Sequence, residues 1–280
     1  MSGQRLQGDG VPGGSPAVNE IDRRPNVRRL VDLSRQAVSY GVELRTSRGT
    51  SGLWERLYCF NRHLDRSCGN LPTLSDEPGE AFVAPLLEQM GPDWDWTQRT
   101  DPQWIFFSQP RRCKAAHSAR RRYGRYKLYI SPAAGAFRHA VVATLSASGD
   151  CSALKFARTH GGTLRPDKIV IYTDSLAHTR RVAARVLSTV GEIRAQGVPF
   201  TAELGGDGLI SWAMDPASTE LRRYLSWRVW ISHMLVRCID AAPAEADPDV
   251  QVDAVLSTLA TRYGVVSGAW TLEAVRRKGF

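Results

Sequence analysis

Apolar residues at helical spacing first appear in Asn26–Tyr40, where Val27, Leu30, Val31, Leu33 and Val38 predict a helix. The run Leu53–Phe60 (LWERLYCF) suits either a short helix or a strand. Ala81–Met90 reads as a further helix, closed by the turn signal Gly91-Pro92. From Trp104 the pattern becomes strand-like: Trp104–Ser108 (WIFFS), Tyr126–Ser131 (YKLYIS), Ala153–Ala157 (ALKFA) and Lys168–Thr173 (KIVIYT) are short runs rich in branched and aromatic residues. Pro199–Leu204 and Gly208–Met214 are two more strand candidates. Helices are predicted at Ala133–Ser146, at Ser175–Ala195 with Ser175 as its N-cap, and from about Ser218 to Asp240. A Pro/Ala/Asp linker, Ala241–Asp249, precedes a C-terminal helical pair. Strands interrupted by helices through short links predict an α+β fold, a mixed or antiparallel sheet covered by helices, with helical N- and C-terminal extensions. The expected organisation is a disordered lead (1–25), a mostly helical N-terminal region (26–100), an α+β core (101–240) and C-terminal helices (250–280).

Composition adds a sign to this picture. The chain of 280 residues is 42% hydrophobic and 23% charged, enough to bury a core without staples. Its net charge of +9 and pI of about 9.6 favour an anionic partner. The cysteines, Cys59, Cys68, Cys113, Cys151 and Cys238, are scattered and form no CxxC or zinc-finger spacing, so a reducing cytoplasm with free thiols is expected. No apolar run approaches the length of a membrane span, and Met1–Pro16 lacks the apolar stretch of a secretory signal.

The positive charge is concentrated. Arg111–Lys127 (RRCKAAHSARRRYGRYK) holds Arg111, Arg112, Lys114, Arg120, Arg121, Arg122, Arg125 and Lys127 without an acid among them. Arginine suits bidentate recognition of phosphate. This segment alone leaves three uses open: binding a phosphopeptide or acidic leader, binding nucleic acid with Tyr123 and Tyr126 stacking on bases, or a plain solvated loop. GxxxxGK[ST], a GxGxxG after a strand, HExxH and GxSxG are all missing, so nucleotide or metalloprotease chemistry is unsupported. The six histidines are isolated in sequence; neither a metal nor any other cofactor is expected.

The lysines carry the chemistry. Strand alternation sets Lys127 and Tyr129 on one face and Leu128 on the other. Lys155 interrupts an apolar strand, an unusual place for a lysine. The next strand supplies Lys168 and Tyr172, with Arg158 and Arg165 between. A lysine desolvated among positive charges gives up its proton more readily and can serve as a general base. The remaining cations would bind and stabilise a departing phosphate. Those are the needs of β-elimination from phosphoserine or phosphothreonine; the plainer alternative is that these lysines snorkel from sheet edges.

YKLYIS, a helix and then ALKFAR resemble the phosphothreonine lyases injected by bacterial type III secretion and the lyase domain of class III lanthipeptide synthetases. KIVIY, Gly197–Phe200 (GVPF) and Gly208–Pro216 (GLISWAMDP) are similar to the stand-alone effector-like lyases of class V lanthipeptide and thioamitide pathways, over about Arg125–Arg237. The resemblance implies Lys155 as the base, Lys127 on the phosphate, and Arg228 as a second phosphate ligand, with Arg158, Arg165, Lys168 and Arg125 as further candidates. Arg120, Arg121, Arg122 and Tyr172 would contact the peptide. It also implies a phosphorylated precursor peptide as partner, together with a separate kinase and cyclase; no membrane partner is expected, and nucleic acid stays open as a less favoured one. Tyr129 stands where the secreted lyases and class III domains carry a histidine acid; a cationic pocket is expected to lower its pKa towards use, while His117, His139 and His160 are alternative acids. Residues 1–100 are a candidate leader-binding module. Arg158–Gly162 (RTHGG), Asp174-Ser175 and Ser232–Met234 (SHM) bear a fainter similarity to enzymes of thiopeptide cycloaddition or glutamyl elimination. A non-catalytic binding protein, either a scaffold for a partner kinase or a nucleic-acid binder, is the remaining alternative.

Overall fold

The computed structural model describes residues 29–62, 85, 88, 94–96, 103–109, 125–216, 226–244 and 247–277. The segment Arg111–Arg122, with His117, lies outside them, as does most of the helix expected at Ala81–Met90.

Helix α1 (Arg29–Arg48) buries Leu30, Ser34, Ala37, Val38, Gly41 and Val42, a stripe at the spacing of one helix face. The ambiguous run that follows is helical, α2 (Leu53–Tyr58). The strands are β1 (Asp95–Trp96), β2 (Trp104–Ser108), β3 (Tyr126–Ile130), β4 (Ala153–Ala157), β5 (Ile169–Thr173), β6 (Ala202–Leu204) and β7 (Ile210–Met214). They form one sheet in the order β1-β2-β4-β5-β3-β7-β6, with every neighbouring pair antiparallel. The antiparallel alternative of the sequence reading therefore holds.

Each sheet face receives its own helical layer. Leu128, Ile130, Leu154, Phe156, Ile171 and Trp212 point to the face covered by α3 (Phe137–Ala147) and α5 (Leu176–Val190). Tyr129, Val170 and Ala213 point to the opposite face, into a core shared with α1, α2, α6 (Trp227–Ala241) and α7 (Pro248–Tyr263). Helices from both ends of the chain thus form the second layer. Each fully buried leucine or phenylalanine in these cores contributes roughly 1.5–3 kcal/mol.

Close approach fixes how that layer sits. A Cβ on Gly41 would lie 2.8 Å from Ile239 Cδ1 and 3.1 Å from Leu57 Cδ2, so glycine lets α1 meet α6 and α2. Ser34 Oγ accepts from the buried Phe200 amide at 2.7 Å, which joins α1 to the loop before β6. Phe200 itself has φ of 64°.

One boundary needs correction. Ser175 does cap α5, its Oγ accepting from the His178 amide, but the helix ends at Val190 rather than Ala195 because Gly191 turns away at φ 65°. The C-terminal region has two helices of unequal length, joined by a hairpin. Asp247 caps α7, Gly264 ends it in the left-handed region, and a hairpin of β8 (Val265–Val266) and β9 (Thr271–Leu272) leads to the single turn α8 (Glu273–Arg276).

Candidate active site

The register of the central strands assembles the candidate residues. Lys155 on β4 pairs with Val170 on β5, Val170 with Tyr129 on β3, and Tyr129 with Ser211 on β7. One step along, Ala153 pairs with Tyr172, Tyr172 with Lys127, and Lys127 with Ala213. Residues paired across a sheet share a face, so Lys155, Tyr129, Lys127 and Tyr172 all stand under the α2/α6 layer. Lys155 and Tyr129 are separated by one strand, about 10 Å between backbones.

The first charged group surrounds Asp167, in the turn before β5. Its Oδ1 accepts from Arg165 Nε at 3.0 Å, and its Oδ2 lies 2.8 Å from an Arg228 guanidinium nitrogen and accepts from Tyr58 Oη at 3.0 Å. Arg165 also donates to Tyr58 Oη at 2.8 Å. Burial would raise the Asp167 carboxyl, but the charges of Arg228 and Arg165, with Lys155 nearby, hold it well below the usual carboxylate range. Burial pushes the Tyr58 phenol in the opposite direction, upwards, so it stays protonated and donates.

Aromatic rings arrange the cations. Lys155 Nζ lies 3.8 Å from the centre of the Trp104 ring, the Arg165 guanidinium 4.9 Å from the same ring, and the Arg228 guanidinium 4.5 Å from the Tyr58 ring. Three cations thus gather around Asp167 in a partly dry setting. Arg228 is only 2% exposed, enclosed by Asp167, the Tyr58 ring and the Tyr58 carbonyl, to which it donates. Arg165 and Lys155 are partly exposed.

The second group lies at the start of β3. Lys127 Nζ is 2.8 Å from Asp215 Oδ2 and 5.7 Å from the Tyr172 ring centre. Asp215 Oδ1 accepts from the Trp227 amide at the head of α6, and the exposed Arg125 donates to the Asp215 carbonyl at 3.1 Å. Asp215 therefore places both Lys127 and the helix that carries Arg228.

Tyr129 lies between these groups, 3% exposed. Its phenol is pushed well upwards, first by burial and then by Asp215, with Arg228 opposing only in part. This corrects the expectation that a cationic pocket lowers its pKa; Tyr129 keeps its proton and is poorly suited to giving it up.

Other candidates fall elsewhere. Lys168 is buried, its ammonium donating to the Pro132 carbonyl at 2.6 Å and to Gln196 Oε1. Burial lowers its pKa to about 7. Arg158 follows the end of β4, its amide bonded to the Gln103 carbonyl. His139 is on α3, against the other sheet face, where Nε2 meets the Val190 carbonyl at 2.8 Å. Three faint motifs have local structural roles. Thr159 of RTHGG caps the turn α4 (His160–Thr163), Ser175 caps α5, and Ser232 donates to the Arg228 carbonyl. Sequence reasoning missed Tyr58, Trp104, Asp167 and Asp215. Only Asp167 left a trace there, an acid lodged between Arg165 and Lys168 in an otherwise cationic stretch.

Two solved structures share this architecture. The effector protein from Pseudomonas syringae pv. tomato strain DC3000 superposes with a TM-score of 0.55 at 11% identity, over 87% of this chain and 98% of the effector. The effector protein from Pseudomonas syringae pv. syringae strain 61 does so with a TM-score of 0.52 at 10% identity, over 86% and 98%. The chain has the fold of these effectors. At this identity the likeness concerns the fold alone, and the sequence matches no protein-family model and no curated protein. Among the described residues no helix is long and apolar enough to cross a membrane.

Proposed function

We propose that the protein is a phosphoserine/phosphothreonine lyase acting on a phosphorylated peptide. The observation that carries this reading is the convergence of Lys155, Arg165 and Arg228 around Asp167, on the sheet face that also presents Lys127. Arginine and lysine gathered in this way suit the binding of a phosphate dianion. Lys155, on the aromatic face of Trp104 and partly exposed, acts as the base. It takes the Cα proton; the C–H electron pair becomes the second bond between Cα and Cβ; the Cβ–O bond breaks and phosphate leaves with the pair of that Cβ–O bond. Arg165 and Lys127 stabilise the departing charge, which relieves the need for a strong acid at Tyr129. Arg228, enclosed behind Asp167, acts as a positioning residue through Asp167 and Tyr58. The fold of the effector proteins and the sequence resemblance to phosphothreonine lyases support the same reading. A ribosomally made precursor peptide, modified by a separate kinase and cyclase, is the substrate class that the resemblance suggests.

The test is mass spectrometry of phosphoserine and phosphothreonine peptides incubated with the protein and with Lys155→Ala. Loss of phosphoric acid as one unit, absent in the variant, is expected. Loss of phosphate with the hydroxyl retained would mean hydrolysis and overturn the mechanism.

A further inference from the structure

The fold also brings together three donors that the sequence keeps apart. Asp150 and Cys151 occupy the turn between α3 and β4, and His178 lies in the first turn of α5, away from the lysine-bearing face. The carboxylate oxygen, Sγ and imidazole nitrogen all lie within 4.8 Å of one another. His178 Nε2 is 3.4 Å from Asp150 Oδ2, and Cys151 Sγ is 3.8 Å from Asp150 Oδ1. Tetrahedral zinc, with bonds of about 2.0–2.3 Å, places neighbouring donors about 3.3–3.6 Å apart, so little movement is needed.

The surroundings favour a ligand over a plain ion network. His178 Nε2 is buried and, beyond its 3.4 Å approach to Asp150 Oδ2, has no hydrogen-bond partner. Arg185 pairs with Asp150 Oδ1 and donates from Nε to the Ala147 carbonyl, which leaves Oδ2 turned towards the imidazole. An outer hydrogen bond of that kind orients a coordinating carboxylate. Cys151 is fully buried and in no disulfide, whereas the Asp150 side chain is 36% exposed, so a water can complete the shell from that side.

We propose that Asp150, Cys151 and His178 bind a divalent ion of the zinc class. The ion would tie the α3–β4 turn to α5 and so fix the start of the strand that carries Lys155. The proposal stands independently of the lyase reading.

Cobalt(II) is the probe, since a thiolate ligand gives it a near-ultraviolet charge-transfer band. Metal-free, reduced protein titrated with cobalt(II) should develop that band to saturation at one equivalent, and one equivalent of zinc should abolish it. Cys151→Ser should remove the band; Cys59→Ser should leave it. His178→Gln, at a half-buried position that tolerates the change, should weaken cobalt binding at least tenfold and cancel any rise in melting temperature caused by zinc. Circular dichroism confirms that each variant is folded. Absence of the band in the parent protein, or its persistence in folded His178→Gln with unchanged affinity, overturns the proposal.

Discussion

In the proposed lyase Lys155 would carry the reaction and Asp167 its support, so their substitutions should separate accordingly. Lys155→Arg keeps the positive charge on Trp104 but supplies no base at neutral pH. Elimination should fall by about 10²–10⁴, the usual worth of a general base, while phosphopeptide affinity measured by calorimetry stays within tenfold. Equal losses in binding and turnover would assign Lys155 to phosphate recognition instead. Asp167 is different: its removal leaves Arg228 buried without its counter-charge. Asp167→Asn should therefore cost about 3–5 kcal/mol in urea unfolding at neutral pH. The folded carboxyl titrates far below its unfolded value, so its contribution is complete above pH of about 4 and drains away as pH falls further. The variant should lose that part of the acid sensitivity. An unchanged slope below pH of about 4 would remove Asp167 from this role.

At the scale of elements, strand alternation was enough to read Lys127 and Tyr129 onto one face from the sequence, because a period of two needs no tertiary knowledge. The group around Asp167 was not readable in the same way. It depends on β4 lying beside β5 rather than β3, and on α2 and α6 folding back from distant parts of the chain to supply Tyr58 and Arg228. Asp150, Cys151 and His178 were hidden for the same reason: the spacing rules for metal sites assume ligands on one local motif. The end of α5 erred where Gly191, at positive φ, stops the helical pattern early, and the two-residue strands of the β8–β9 hairpin are too short to show a period. The joint between α1 and the β6 loop makes an element-scale prediction. Ser34→Ala strands the buried Phe200 amide and should cost about 1–3 kcal/mol by chemical denaturation. A neutral result would mean that α1 is held by its apolar stripe alone.

Across the whole molecule, buried titratable groups set how stability depends on pH. Lys168 has a folded pKa of about 7 against 10.5 for a free lysine, because burial outweighs the pull of Asp167. Above neutrality the unfolded chain therefore holds a proton that the folded one lacks, and stability rises with pH. From about 9 the buried Cys238 thiol, pushed up to about 11, offsets that gain, since there the folded state holds an extra proton of its own, and above about 10.5 its effect is the larger. Unfolding free energy should climb between pH 7 and 9 in the parent protein and stay flatter in Lys168→Met. A parent protein whose stability is level over that interval would show that the ammonium keeps its charge on the Pro132 and Gln196 oxygens.

The strand order has a consequence during synthesis. β2 must wait for β4 to emerge before it finds its inner neighbour, β3 must wait for β5, and Asp167 gains Arg228 only when α6 has left the ribosome. A nascent chain stalled before α6 holds Lys127, Lys155 and Arg165 yet lacks the frame that orients them. Competence would therefore arrive late and in a single step, and a truncated translation product would be inert rather than partly active.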